Sequence, residues 1–185
     1  MDTDFKNRSL STIKKIRKGL RNHQQDYKVS GVEKTNIPEK NVAYIQLACK
    51  LHEKARVMIE HTIDVMEYIR NNDIKLTGDP FLEITKWDLV EGDREFNFCF
   101  PIPKLESYPK SERVKVKTIP SKPAIKTIYN GNYRISDRGW FHLLDYAERQ
   151  DINIKKLPVE FFLNDPHSGG DDLEWEAEIF MPISE

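Results

Sequence analysis

Cysteine is scarce in this chain: Cys49 and Cys99 are the only two. Neither belongs to a C-x-x-C pair, so neither a disulfide framework nor a thiolate zinc site is expected. A surplus of one charge is also missing, with 29 basic residues against 30 acidic ones and a net charge of −1. Nucleic-acid binders need a basic surplus to displace counterions from phosphates, so this chain alone is not expected to bind nucleic acid. No apolar run approaches membrane-spanning length and no signal-peptide pattern opens the chain, which points to a cytoplasmic protein without a membrane partner. No G-x-G-x-x-G, P-loop or G-x-S-x-G string occurs. The five histidines, His23, His52, His61, His142 and His167, show no ligand spacing, so no metal, haem or other cofactor is expected.

What the chain does have is a phrase written twice. "YIRNNDIKLTGDP" from Tyr68 and "YAERQDINIKKLP" from Tyr146 align without a gap, 78 residues apart. Upstream of each lies a helical pattern. Leu51, Ala55, Met58, Ile59, Ile63, Met66 and Ile69 supply the apolar positions of the first, and Trp140, Leu143, Leu144 and Ala147 those of the second. Ser136 or Asp137 is placed to cap the second helix. Upstream again are strand candidates, "NVAYIQLA" from Asn41 and "PAIKTIYN" from Pro123. Downstream, both copies read strand, polar turn, strand, and both end in Pro-Ile, at Pro101 and Pro182. The second copy has gained three residues, assigned to the "DPHSGGDD" loop, whose composition is that of a turn.

Each copy is thus β-α-β-β. The expected fold is α+β, two βαββ repeats related by a pseudo-twofold axis around a central ligand cleft, because one unit leaves a sheet face that a second can help bury. The halves are placed at about 27–103 and 112–184 within a domain spanning 26–185. Residues 1–25 are a separate basic stretch in which Ile13, Ile16 and Leu20 make one apolar stripe. It reads as a docking or linker helix, and implies an upstream domain or protein partner.

The second copy carries "TIYNGNY", with Tyr129, Gly131 and Tyr133, then a helix, then "PVEFFLNDP" and "EAEIFMPI". In order and spacing this resembles the GyrI-like effector-binding family, found alone, after SRPBCC-type domains, or attached to AraC-type and MerR-type transcription regulators. The first copy departs from the pattern, lacking any Tyr-Gly pair. The resemblance implies the bacterial effector-binding domain fold. It also implies a small-molecule ligand, lipophilic or cationic, held in a cleft with a last-strand glutamate at its bottom. Glu178 matches that position.

Strand parity adds detail. Ala177, Ile179 and Met181 share one face; Glu174, Glu176, Glu178 and Phe180 share the other. In the first copy Phe96, Phe98 and Phe100 oppose Glu95, Asn97 and Cys99. Asn97 is the repeat partner of Glu178, and the two are expected to face each other near the axis. Glu178, Glu176, Asn97 and Phe180 are therefore candidate ligand contacts. Tyr129 and Tyr133 either line the cleft rim or simply pack, Trp87 and Trp175 are candidate walls, and Trp140 is a core residue. A carboxylate among aromatic rings suits a cation. A second reading makes the protein a hydrolase of strained electrophiles, with Glu178 as base and Tyr129 or Tyr133 as acid. A third is a gyrase-inhibitor-like interaction module using the acidic run from Asp171 to Glu178.

Overall fold

The computed structural model describes residues 26–164 and 171–184. The basic stretch 1–25 and the centre of the "DPHSGGDD" loop lie outside the described residues. Among the described residues nine strands and two α-helices follow in chain order: β1 (Tyr27–Val29), β2 (Glu33–Ile37), β3 (Lys40–Lys50), α1 (Lys54–Asn71), β4 (Phe81–Trp87), β5 (Asp93–Pro101), β6 (Lys115–Ile119), β7 (Lys122–Gly131), α2 (Asp137–Arg149), β8 (Val159–Phe162) and β9 (Glu176–Pro182). Strand, helix, hairpin therefore occurs twice, as β3-α1-β4-β5 and β7-α2-β8-β9.

The repeated phrase marks the two helix ends. Asp73 and Asp151, 78 residues apart, both adopt φ of 52°. Ile74 N–H then donates to the Ile69 carbonyl and Ile152 N–H to the Ala147 carbonyl, at 3.0 and 2.9 Å. Each is the long closing bond of a Schellman turn, with aspartate where glycine is commoner. Ser136 sits at the start of α2, but its hydroxyl makes no cap bond.

All pairings are antiparallel, in the order β1-β7-β9-β8-β4-β5-β3-β6, with β2 also on β7. The halves meet edge to edge through β4 and β8, with rungs Phe81↔Phe161, Leu82↔Glu160 and Glu83↔Val159. Exchanging the halves at the 78-residue spacing maps this ladder onto itself, with Leu82 and Glu160 as the central rung. The opposite ends meet as well. β2 pairs with β7 from Glu33↔Lys126 to Ile37↔Lys122, and β3 pairs with β6 from Lys40↔Ile119 to Tyr44↔Lys115, in one unbroken register. Two strand pairs thus run through "IPEK" at Ile37 and "IPSK" at Ile119, themselves 82 residues apart. The nine strands close into a ring.

Both helices lie on one face. The core there joins Ile45, Leu47, Phe96, Phe98, Phe100, Ile125 and Ile179 to Val57, Val65, Tyr68, Trp140 and Leu143. The buried stripe of α1 is Val57, Val65, Tyr68 and Ile69, whereas Ile59 and Ile63, expected inside, are 59% and 61% exposed. The helix carries two apolar stripes, and the one holding Val65 and Tyr68 meets the sheet. Beneath the helices, Lys54 and Glu160 form an ion pair of 3.1 Å with side chains 2% and 0% exposed. Trp140 Nε1 donates to the same carboxylate oxygen at 3.2 Å, and Lys54 also donates to Ser136 Oγ at 2.6 Å. Engagement with Lys54 and with the Tyr133 carbonyl accounts for the missing cap bond.

A second apolar cluster lies on the other face: Ile37, Val42, Phe81, Cys99, Ile119, Ala124, Val159 and Phe180. Among the described residues, no helix residue belongs to it. It is buried because the ring of strands curls over its own helix-free side.

Candidate functional site

Three rings form the floor of the helix-free face. Phe81 from β4 and Phe161 from β8 stack with centroids 4.4 Å apart, and Phe161 meets Phe180 of β9 edge-on at 5.5 Å. These strands are neighbours in the sheet, and period-two alternation turns all three rings the same way. Cys99, directly opposite Phe81 in the ladder, completes the floor. Burial holds its thiol well above the usual range, with Glu83 adding to the effect and Lys117 opposing it.

Two lysine–carboxylate pairs flank this floor. On one side Lys117 of β6 pairs with Glu83 of β4, and its ammonium stands 4.8 Å from the Tyr44 ring centroid. Asn97 Nδ2 donates to the same Glu83 oxygen at 2.7 Å. On the other side Lys126 of β7 pairs with Glu178 at 3.1 Å and Glu33 at 2.9 Å, with its ammonium 5.8 Å from the Phe180 centroid. The hydrogen bond to Glu33, then the one to Glu178, raises the Lys126 pKa against the opposing effect of desolvation.

The Lys117–Glu83 pair also reports the shape of the face. β3 and β5 lie between β6 and β4. In a flat sheet that separation is about 14 Å, too far for the two side chains to meet comfortably. The face is therefore concave.

Of the expected contacts, Glu178, Phe180 and Asn97 lie on this face, and Glu176 shares its parity at the start of β9. Asn97 and Glu178 do not face each other: they stand on β5 and β9, with β4 and β8 between them. Glu178 has Lys126 as a partner without any ligand.

The tyrosines and tryptophans are elsewhere. Tyr129, fully buried, belongs to the helix-side core and donates to the Asn132 carbonyl at 3.0 Å. It pairs with Ala177, whose parity is opposite to that of Glu178. Tyr133 follows β7 in a 3-10 turn and donates to the Glu176 carbonyl at 2.7 Å. Burial raises the Tyr129 pKa and pushes that of Tyr133 up to about 12. Glu178 and these phenols are on opposite sides of the sheet, so the acid–base constellation is not assembled. Trp175 packs near Tyr133, with centroids 5.8 Å apart. Trp87 meets Trp140 and Phe141 edge-on at 5.3 and 5.5 Å, on the helix side. A bulge between Ile84 and Lys86 turns it there, opposite Arg94 instead of toward the cleft. Trp140 is core, as expected, at 0% exposure.

In the acidic run, Asp171 accepts from Leu173 N–H, Asp172 from Asn132 Nδ2 and Glu176 from Asn130 Nδ2. With Glu178 on Lys126, these carboxylates are engaged inside the molecule. No group of histidine, cysteine and carboxylate side chains among the described residues is arranged to hold a metal ion. No helix among them is long and apolar enough to cross a membrane.

Sequence reasoning missed Tyr44, Phe81, Glu83, Lys117, Lys126 and Phe161. The signal was present in part: "FLE" of β4 and "EFF" of β8 alternate like the last strands, and a lysine interrupts the apolar run of β7.

Comparison with known proteins agrees with this architecture. The EcmrR C-terminal domain superposes with a TM-score of 0.71 at 18% identity, covering 86% of this chain and 98% of that one. EcmrR in its DNA complex matches at 0.69 and 19% identity, covering 98% of this chain and 71% of that one. SAV2435 bound to tetraphenylphosphonium matches at 0.51 and 12% identity, covering 84% and 94%. No curated protein matches by sequence. Residues 31–184 match the GyrI-like small molecule binding domain, and the chain belongs to that family.

Proposed function

We propose that the chain senses or sequesters a lipophilic small molecule, held in the concavity of the helix-free face between two repeats related by a pseudo-twofold axis through the Leu82–Glu160 rung. The observation that carries this reading is the aromatic floor of Phe81, Phe161 and Phe180 on a curled face that no helix among the described residues covers. Phe81 and Phe180 are buried there, whereas Phe161 is only partly so and gains from a ligand that removes its remaining surface from water. SAV2435, which shares this fold, is bound to tetraphenylphosphonium, a lipophilic cation.

Phe161 is the residue to test, because it is only partly buried and touches both other rings. A panel of lipophilic compounds screened by thermal shift should raise the Tm of the wild type. Phe161→Ala should abolish the shift while keeping the fold. An equal shift in wild type and variant would place binding elsewhere.

A further inference from the structure

The two carboxylates beside the aromatic floor already have cations. Lys117 holds Glu83 and lies over Tyr44; Lys126 holds Glu178 and lies over Phe180. Each ammonium occupies the position that a lipophilic cation would take, near a carboxylate and against a ring face. We propose that these tethered lysines act as built-in occupants of the cation positions, so that the cleft selects an uncharged lipophilic ligand over a cation of the same shape. The inference rests on the helix-free face being the ligand site, and adds the ligand's charge class to it.

A cation entering the cleft would have to displace a lysine held at very high effective concentration by its own backbone. It would recover one ion pair only by breaking another, and would leave an ammonium to be rehydrated. The Lys126 side chain is 17% exposed, and its two carboxylate partners keep it charged at neutral pH. An anion fares no better. The Lys117 charge is balanced by Glu83, and Lys126 is outnumbered by Glu33 and Glu178. What remains free is the exposed part of the Phe161 ring, which takes an apolar or aromatic ring without regard to charge. Asn97 reinforces the arrangement, donating to the Glu83 oxygen that holds Lys117.

The test uses a matched pair, triphenylphosphine oxide and methyltriphenylphosphonium, which share three phenyl groups on phosphorus and differ in charge. Titration calorimetry on the full chain should find the oxide bound more tightly by roughly tenfold or more. Lys126→Met removes one internal cation and exposes Glu178 and Glu33. That variant should gain roughly tenfold for the phosphonium and change little for the oxide. Lys117→Met, freeing Glu83, should move the same way and serves if the first variant folds poorly. Tighter binding of the phosphonium by wild type overturns the proposed selectivity while leaving the site intact. So does a lysine variant that folds and keeps the wild-type ratio. If neither probe binds, the helix-free face is not the ligand site, and the inference falls with that reading.

Discussion

Lys54, the first residue of α1, and Glu160, on β8, are joined by a buried ion pair that ties the helix of one half to the hairpin of the other. Two charges removed from water are stabilising together and costly apart. Glu160→Gln leaves the Lys54 ammonium buried among Ser136 and the Trp140 ring, 5.0 Å from its centroid. The expected loss is about 3–5 kcal/mol, or roughly 10 °C in Tm. The double variant Lys54→Met/Glu160→Leu should recover most of it. Urea titration of Glu160→Gln, Lys54→Met, Glu160→Leu and the double variant measures this, and full additivity of the Lys54→Met and Glu160→Leu losses would show that the pair is not coupled.

The Asp73 and Asp151 backbones are strained in the same way at matching positions. Glycine has no Cβ to resist positive φ, so Asp73→Gly and Asp151→Gly should each stabilise by about 0.5–1 kcal/mol. Denaturant midpoints should rise similarly in both. A gain at one site with a loss at the other would mean that the two helix ends are not energetically equivalent.

Gly131 is held for the opposite reason. Its φ is 150°, and a Cβ there would lie 2.7 Å from the Tyr129 hydroxyl, 2.8 Å from Tyr27 Cβ and 3.0 Å from the Asp26 carbonyl oxygen. Gly131→Ala should cost about 1–3 kcal/mol. Because Tyr27 Cβ and the Asp26 backbone remain in the way, Tyr129→Phe should not rescue it; a full rescue in the thermal melt would assign the crowding to the hydroxyl alone.

Tyr133 makes stability depend on alkaline pH. Its pKa rises on folding from the ordinary 10.0 to about 12. A raised value means that the folded state holds the proton more tightly. The contribution is therefore fully present below pH 10 and is lost between pH 10 and 12. The shift corresponds to roughly 2–3 kcal/mol. Urea midpoints from pH 9 to 12 should fall less steeply in Tyr133→Phe than in wild type.

The two thiols should differ in reactivity. Cys99 is fully buried on the cleft floor with its pKa raised by desolvation, whereas Cys49 is partly exposed. Iodoacetamide at pH 8 should label Cys49 in the native protein, and Cys99 only after denaturation. Mass spectrometry of the native digest decides it, and early labelling of Cys99 would show that the floor is open to solvent.

How much of this was readable in the chain depended on the range of the interaction. The helix ends were legible because a local turn demands the same Asp-Ile each time, at Asp73 and Asp151. Strand parity placed Glu178, Phe180 and Asn97 correctly, since alternation is local too. Trp87 was not legible: a single bulge after Ile84 reverses it, and nothing in "FLEITKW" announces a bulge. The motif leaves Tyr129 and Tyr133 open between rim and packing, and the pairing of β7 with β9 decides for packing by setting Tyr129 beside Ala177. Lys117 could not be foreseen, because it reaches Glu83 only through a curvature produced by the whole ring of strands. The second stripe of α1 misled for a related reason, since which stripe is buried depends on the sheet beneath it.

The continuous pairing of β2–β3 with β6–β7 has a consequence for how such a molecule could arise. In each half the leading strand, β3 or β7, pairs with its own hairpin, and the segment before it, β2 or β6, pairs with the leading strand of the other. A single copy of the unit would be left with an unfilled edge and an unclaimed strand, and a second copy would satisfy both at once by exchange. Two fused copies of one unit would pair in this way, with residues 103–114 between them. In such a fusion the two halves would be free to diverge while the exchange that holds them together is kept, as glutamate at position 178 differs from asparagine at position 97.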